Sequence, residues 1–102
     1  MKRVRRNERS KTEQLKAKAT RLRVDFAQTD LATAMTFVRL ARFYIRTEQP
    51  ERATKLLREA QHAASTIDRI VAKLSGEVAK TLKEKLALLA DAIDEAKEQS
   101  EA

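Results

Sequence analysis

One glycine, Gly76, and one proline, Pro50, are the only residues of their kinds among 102, so little in this sequence interrupts a helix. Most of the remaining residues are alanine, leucine, lysine, arginine, glutamate or glutamine, which favour helices. Runs of alternating β-branched residues, which predict strands, are absent. The length suits a single domain. The sequence therefore predicts one all-α domain, an antiparallel helical hairpin or a small helical bundle.

A stripe of apolar residues at helical spacing predicts a first helix from about residue 9 to residue 46. Phe26 and Phe37 lie eleven residues apart, about three helical turns, so the stripe keeps its phase across polar Thr29 and Asp30. Asp30 suits a new helix cap, but no glycine or proline requires a break there. The stripe consists of Leu15, Ala19, Leu22, Phe26, Leu31, Met35, Val38 and Ile45, with Phe37, Leu40 and Tyr44 beside it.

Residues 47–50 are predicted to form a turn. Pro50 disfavours helical geometry at Gln49 and suits the first position of a new helix. Glu51 follows in the first turn of that helix, where an acidic side chain is favourable. The predicted architecture is therefore two antiparallel helices joined at Pro50.

The apolar stripe of the second half passes through Gly76 without losing its helical phase. A glycine within a helix costs only about 1 kcal/mol, so Gly76 is compatible with a kink. Ser75 equally suits the cap of a separate third helix that starts at Gly76. The sequence leaves both alternatives open, a kink or a second break at residues 75–76.

The predicted hairpin resembles one unit of the tetratricopeptide-repeat family between about residues 34 and 67. Small residues let its two helices approach closely, and large apolar residues fill the space around them. The residues that match this pattern, and that are expected to form the hairpin core, are Phe37, Leu40, Ala41, Tyr44, Ala53, Leu57 and Ala60.

This resemblance covers only one repeat. A shift of 34 residues places Asp91 and Asp94 where leucine and alanine belong, and stacked arrays need about three repeats. Any antiparallel hairpin with alanine at its close contacts would show the same pattern, so this alternative stays open. The resemblance implies a module that binds other proteins.

Charge is distributed unevenly along the chain, whose net charge is +7. Residues 1–23 contain ten Lys and Arg against two Glu, and residues 76–102 contain four Lys against seven acidic residues. We expect residues 1–8 to form a disordered basic tail, which would either contact an anionic partner such as nucleic acid or pair with the acidic end. The candidate contact residues of the basic N-terminal segment are Lys2, Arg3, Arg5, Arg6 and Arg9.

Three arginines, Arg39, Arg42 and Arg46, follow one side of the first helix at spacings of three and four residues. In a hairpin of the tetratricopeptide type such a flank can bind an acidic peptide or a C-terminus through paired contacts to carboxylates. The alternative is a solvated flank, neutralised locally by acidic residues near the turn. Those acidic residues are Glu48, Glu51 and Glu59.

The sequence predicts no catalytic, cofactor or metal site. His62 is the only histidine, and its helical neighbours are charged or polar, as on a solvated face. Cysteine is absent, which excludes thiolate ligands and disulfides. The acidic residues near the C-terminus lack the histidine partners of a di-metal site in a helical bundle. We therefore expect a protein that is not an enzyme.

No apolar run approaches the length of a membrane span, and no apolar segment follows the basic N-terminus as in a signal peptide. The expected location is cytoplasmic. The expected domain covers residues 9–99, with residues 100–102 frayed. Two long helices alone leave apolar flanks uncovered, which predicts folding back into three or four helices or a homodimer. The predicted function is protein interaction or oligomerisation, with nucleic-acid binding as the alternative.

Overall fold

Three helices form the protein in a computed structural model that describes residues 2–101, and the side chains of residues 10–101. Helix α1 spans Lys2–Arg46, α2 spans Pro50–Val71 and α3 spans Gly76–Glu101. No strand occurs in this part of the chain. The all-α prediction is confirmed, and of its two forms the small bundle is observed.

The turn between α1 and α2 is at the predicted place, residues 47–49. The backbone N–H of Gln49 donates to the Tyr44 carbonyl at 2.8 Å, and that of Glu48 donates to the Ile45 carbonyl at 3.2 Å. With Glu48 at φ 60°, this pair of hydrogen bonds forms a Schellman motif, which satisfies carbonyls at the end of α1. Pro50 then occupies the first turn of α2, where its missing N–H leaves no helical hydrogen bond unmade.

A second break separates α2 from α3 at residues 72–75. Helix α2 continues into it with tighter turns, since the N–H groups of Lys73 and Leu74 donate to carbonyls three residues earlier. Gly76 has φ +76°, a conformation that disfavours any side chain. Of the two alternatives at Gly76, a kink or a separate third helix, the structure has the third helix. The break begins at residue 72, earlier than the predicted residue 75.

The chain runs up, down and up again, so α3 is parallel to α1. Leu31 and Met35 of α1 line one groove with Leu88 of α3, and Arg42 contacts Glu95 further along both helices. Arg23 of α1 lies near the end of α2, beside Ile70. The bundle therefore includes α1 only from about residue 23 onward.

Helix α1 is longer than predicted at its start, because it begins at Lys2 and not near residue 9. Continuing an existing helix needs no new nucleus, and lysine and arginine have high helix propensity. At the other end α3 extends to Glu101, although fraying was expected from residue 100. Met1 and Ala102 lie outside the described residues.

The core is built from small residues at the contacts between helices and from aliphatic residues around them. Ile67, Leu82, Leu89, Val38 and Val71 are its largest fully buried side chains. Small residues let helices pack at short distance, which suits a bundle only 20 by 14 Å across. The alanines that are wholly inaccessible to solvent are Ala27, Ala34, Ala41, Ala53, Ala60 and Ala96.

Six of the seven residues predicted to form the hairpin core lie in it or against it. Ala41, Ala53, Leu57 and Ala60 are buried, and the partly buried Phe37 and Tyr44 pack against them. The seventh, Leu40, is 42% exposed, so its predicted place in the core is corrected. Adjacent residues of a helix differ by about 100° in direction, and here Ala41 takes the inward position.

Candidate interaction surface

The first part of α1 extends beyond the bundle as a single helix, which we call the overhang (residues 2–22). At about 1.5 Å per residue it is about 30 Å long. Together with the bundle it accounts for the 70 Å length of the molecule. Every side chain between Ser10 and Arg23 is exposed except the partly buried Ala19. Residues 10–22 therefore have no helix packed along them.

One face of α1 carries a continuous row of apolar residues and threonines, which we call the α1 seam. Its residues recur at spacings of three and four, as in the contact positions of a coiled coil. The row starts on the overhang, crosses the bundle and ends in the turn after α1. The α1 seam consists of Leu15, Ala19, Leu22, Phe26, Thr29, Thr33, Thr36, Leu40, Phe43 and Thr47.

The α1 seam is open to solvent although five of its members are large and apolar. Leu15 is 68% exposed, Leu22 60%, Phe26 53%, Phe43 48% and Leu40 42%. At about 100° per residue, the seam lies about 140° around α1 from the residues that face the core. No helix of residues 2–101 covers the α1 seam. Seven large apolar side chains are exposed among residues 10–101, and five of them are on this row.

The apolar stripe predicted from the sequence includes half of this row, but it joins that half to residues of the buried row. Leu15, Leu22 and Phe26 belong to the predicted stripe, and the structure leaves all three exposed. The buried row of α1 starts instead at Ala27, one residue later. A difference of one residue was too small to recognise two rows in a helix this long.

The predicted arginine flank divides between two environments. Arg39 and Arg46 are exposed, whereas Arg42 is partly buried and its Nη2 donates to Glu95 Oε2 at 2.9 Å. The Arg42 Nε is buried without a hydrogen-bond partner. The partner of Arg42 comes from α3 rather than from Glu48, Glu51 or Glu59. The exposed fractions of the two side chains, 37% and 67%, mark a surface ion pair of small energy.

The basic residues of the N-terminus are only partly described. The side chains of the predicted contacts Lys2, Arg3, Arg5, Arg6 and Arg9 lie outside the described ones, although α1 includes their backbone. The basic side chains that follow on the overhang are all exposed. They are Lys11, Lys16, Lys18 and Arg21.

The other polar candidates form no site. His62 is exposed, and its carbonyl accepts a hydrogen bond from the Thr66 hydroxyl at 3.1 Å. Among the side chains of residues 10–101, no three histidine or acidic residues come together in a way that could hold a metal ion. Asp91, Asp94 and Glu98 all lie exposed on the outer side of α3.

The helices were compared with membrane spans, and the chain was compared with known proteins. None of the three helices, over residues 2–101, is both long enough and apolar enough to cross a lipid bilayer. No protein family, curated protein or solved structure matches the chain.

Proposed function

We propose that this protein is a non-enzymatic protein-interaction or oligomerisation module, and that its binding surface is the α1 seam. One observation carries the proposal: a row of large apolar side chains lies exposed on the face of α1 that points away from the core. The predicted resemblance to a tetratricopeptide hairpin agrees with a binding module. We also propose that the protein acts in the cytoplasm.

The size of the exposed row supports a binding role. With about 200 Å² for a large apolar side chain, the five exposed members present roughly 500 Å² to solvent. This total is comparable to the largest apolar patch of a typical monomer, about 300–600 Å², which is often functional. Here it is divided into two groups along α1 by Thr29, Thr33 and Thr36. Covering this surface would remove it from water and provide the main favourable term of association.

Photocrosslinking in the cells that produce the protein tests this proposal. A photoreactive residue replaces Leu22 in one variant and Leu88 in the control, because both leucines are exposed, at 60% and 67%, and only Leu22 lies on the α1 seam. We expect covalent protein adducts from position 22 and few from position 88. Equal yields from the two positions, or none from position 22, would contradict the proposal.

Nucleic-acid binding is the second candidate, favoured by the exposed cations of the overhang. Arg23 also shares a concave surface with Arg69 and Lys73 at the base of the overhang. Such cations neutralise phosphates without reading base sequence, so binding would weaken steeply with salt. Replacing Lys11, Lys16, Lys18 and Arg21 by glutamine should weaken a low-salt mobility shift of duplex DNA or RNA and make it less sensitive to salt. No shift with the unaltered protein would exclude this candidate.

A further inference from the structure

We infer that the partner of the α1 seam is the α1 seam of a second copy of this chain, aligned antiparallel in a twofold dimer. The inference rests on the proposed function, because it names the partner of the same surface. Spacing, side-chain size, hydrogen bonding and charge each support it independently.

The spacing and the size of the side chains agree with an antiparallel pairing whose twofold axis crosses α1 at the level of Leu31, between Thr29 and Thr33 of the α1 seam. In that register residue n lies opposite residue 62 − n of the partner, so every member of the α1 seam meets another member. The pairing matches large with small: Phe26 lies opposite Thr36, and Phe43 lies opposite Ala19. Leu22 and Leu40, both large, would meet between these pairs, and the coiled-coil spacing of the row permits knobs-into-holes packing along it.

Three of the four threonines of the row can be buried in such an interface without losing hydrogen bonds. The Thr33 hydroxyl already donates to the Thr29 carbonyl at 3.0 Å, and the Thr36 hydroxyl donates to the Ala32 carbonyl at 3.0 Å. The Thr47 hydroxyl donates to the Phe43 carbonyl, also at 3.0 Å. Polar groups with internal partners avoid the cost of an unsatisfied buried donor. These residues therefore suit the centre and the ends of a mainly apolar contact.

Charge favours the antiparallel orientation, although the exposed Arg39 and Arg46 of α1 lie at the same level as the acidic end of α3. Residues 1–23 carry a net charge of +8, and residues 76–102 a net charge of −3. Because α3 is parallel to α1, its acidic end lies beside the C-terminal end of α1, far from the overhang of the same molecule. An antiparallel dimer brings each basic overhang level with the acidic end of its partner's α3, whereas a parallel dimer would place two basic overhangs side by side.

The area available is sufficient for a specific contact. The large members of two α1 seams present roughly 1,000 Å² together, before the alanine, threonine and flanking side chains are included. Specific interfaces bury about 1,200–2,000 Å² in total. The row extends over 33 residues, which is about 50 Å of helix at about 1.5 Å per residue. The large apolar members alone thus supply most of the area of a small specific interface, spread over an extended, narrow contact.

Sedimentation equilibrium of the full chain tests the association. The unaltered protein should be dimeric, and Leu22→Glu should weaken dimerisation about 100-fold or more, because the substituted residue occurs twice at the contact. The control is Leu88→Glu, an equally exposed leucine outside the α1 seam, which should change the dissociation constant less than about threefold. A dimer that survives Leu22→Glu, or a strict monomer, would overturn the inference.

Distances between spin labels test the orientation, and the absence of cysteine allows one label for each chain. A label at Lys18→Cys should lie about 40 Å from its copy in the antiparallel dimer, since the two positions are 26 residues apart along the helix direction. A label at Ala32→Cys, near the twofold axis, should lie within about 20 Å of its copy. A short distance at both positions would indicate a parallel dimer and refute the antiparallel arrangement.

The photocrosslinks from position 22 separate this inference from the proposed function. Adducts with the mass of two copies of this chain support both. Adducts only with a different protein, together with a monomer in sedimentation, would overturn the dimer and leave the interaction module standing. A monomer that forms no adduct at position 22 would overturn both.

Discussion

Glu48 is the position at which one substitution should most clearly stabilise the protein. Its φ of 60° is left-handed, a conformation that costs a residue with a side chain about 1–2 kcal/mol. Glycine avoids this cost, but it loses more conformational entropy on folding, which costs about 0.5–1 kcal/mol of stability. Because the exposed Glu48 side chain contributes no core packing, Glu48→Gly should raise the free energy of unfolding by about 0.5–1 kcal/mol.

Thermal unfolding followed by circular dichroism measures this effect. For a domain of about 100 residues, 1 kcal/mol shifts the Tm by about 4–8 °C, so Glu48→Gly should raise it by about 2–8 °C. Glu48→Gln is the control, since it removes the charge near the C-terminal end of α1 and keeps the strained conformation. We expect that variant to change stability by less than about 0.5 kcal/mol.

Gly76 provides the opposite test of the same reasoning. An added Cβ there would meet no atom within 4 Å, so only its φ of +76° opposes a side chain. Gly76→Ala should therefore lower stability by about 0.5–1 kcal/mol. The reasoning is refuted if Glu48→Gly fails to raise the Tm, if Glu48→Gln raises it equally, or if Gly76→Ala is neutral.

Two further predictions concern the bundle. Leu57→Ala should lower the free energy of unfolding in urea by about 2–5 kcal/mol, because Leu57 is only 4% exposed. The control Leu88→Ala should lower it by less than about 1 kcal/mol. Similar losses in the two variants would contradict the assigned core. Glu95→Gln should cost less than about 1 kcal/mol, since the Arg42–Glu95 pair is largely solvated, and a larger loss would show that the buried Arg42 Nε depends on it.

The helices and the first turn could be predicted from the sequence because their signals are local. Pro50 restricts its own φ and the conformation of Gln49, and this restriction holds in any tertiary context. The break before Gly76 was ambiguous for a physical reason. The apolar stripe stays in helical phase through it, and a glycine is compatible both with a helix interior and with a left-handed turn. Tertiary packing decides between the two.

The surface that carries the proposed function could not be read from the same pattern. Periodicity reveals which residues of a helix share a face, but it does not reveal what covers that face. Leu40 and Ala41 are adjacent, and only the close approach of α2 and α3 makes the smaller residue the buried one. Leu22 and Phe26 have ordinary core spacing, but Leu22 lies on the overhang, and Phe26 lies on the side of α1 that faces away from the core.

The lengths of the helices explain why the exposed row and the charge asymmetry occur together. Helix α1 has 45 residues, whereas α2 and α3 have 22 and 26, so a single copy leaves nearly half of α1 without a neighbour. The difference in helix length also separates the charges, since the basic overhang lies at one end of the molecule and the acidic end of α3 lies at the other. A second copy in the antiparallel orientation meets both conditions at once: its α1 covers the apolar row, and its acidic end lies level with the exposed cations Lys16, Lys18 and Arg21. A partner that covered only the apolar row would leave the charge separation without a role.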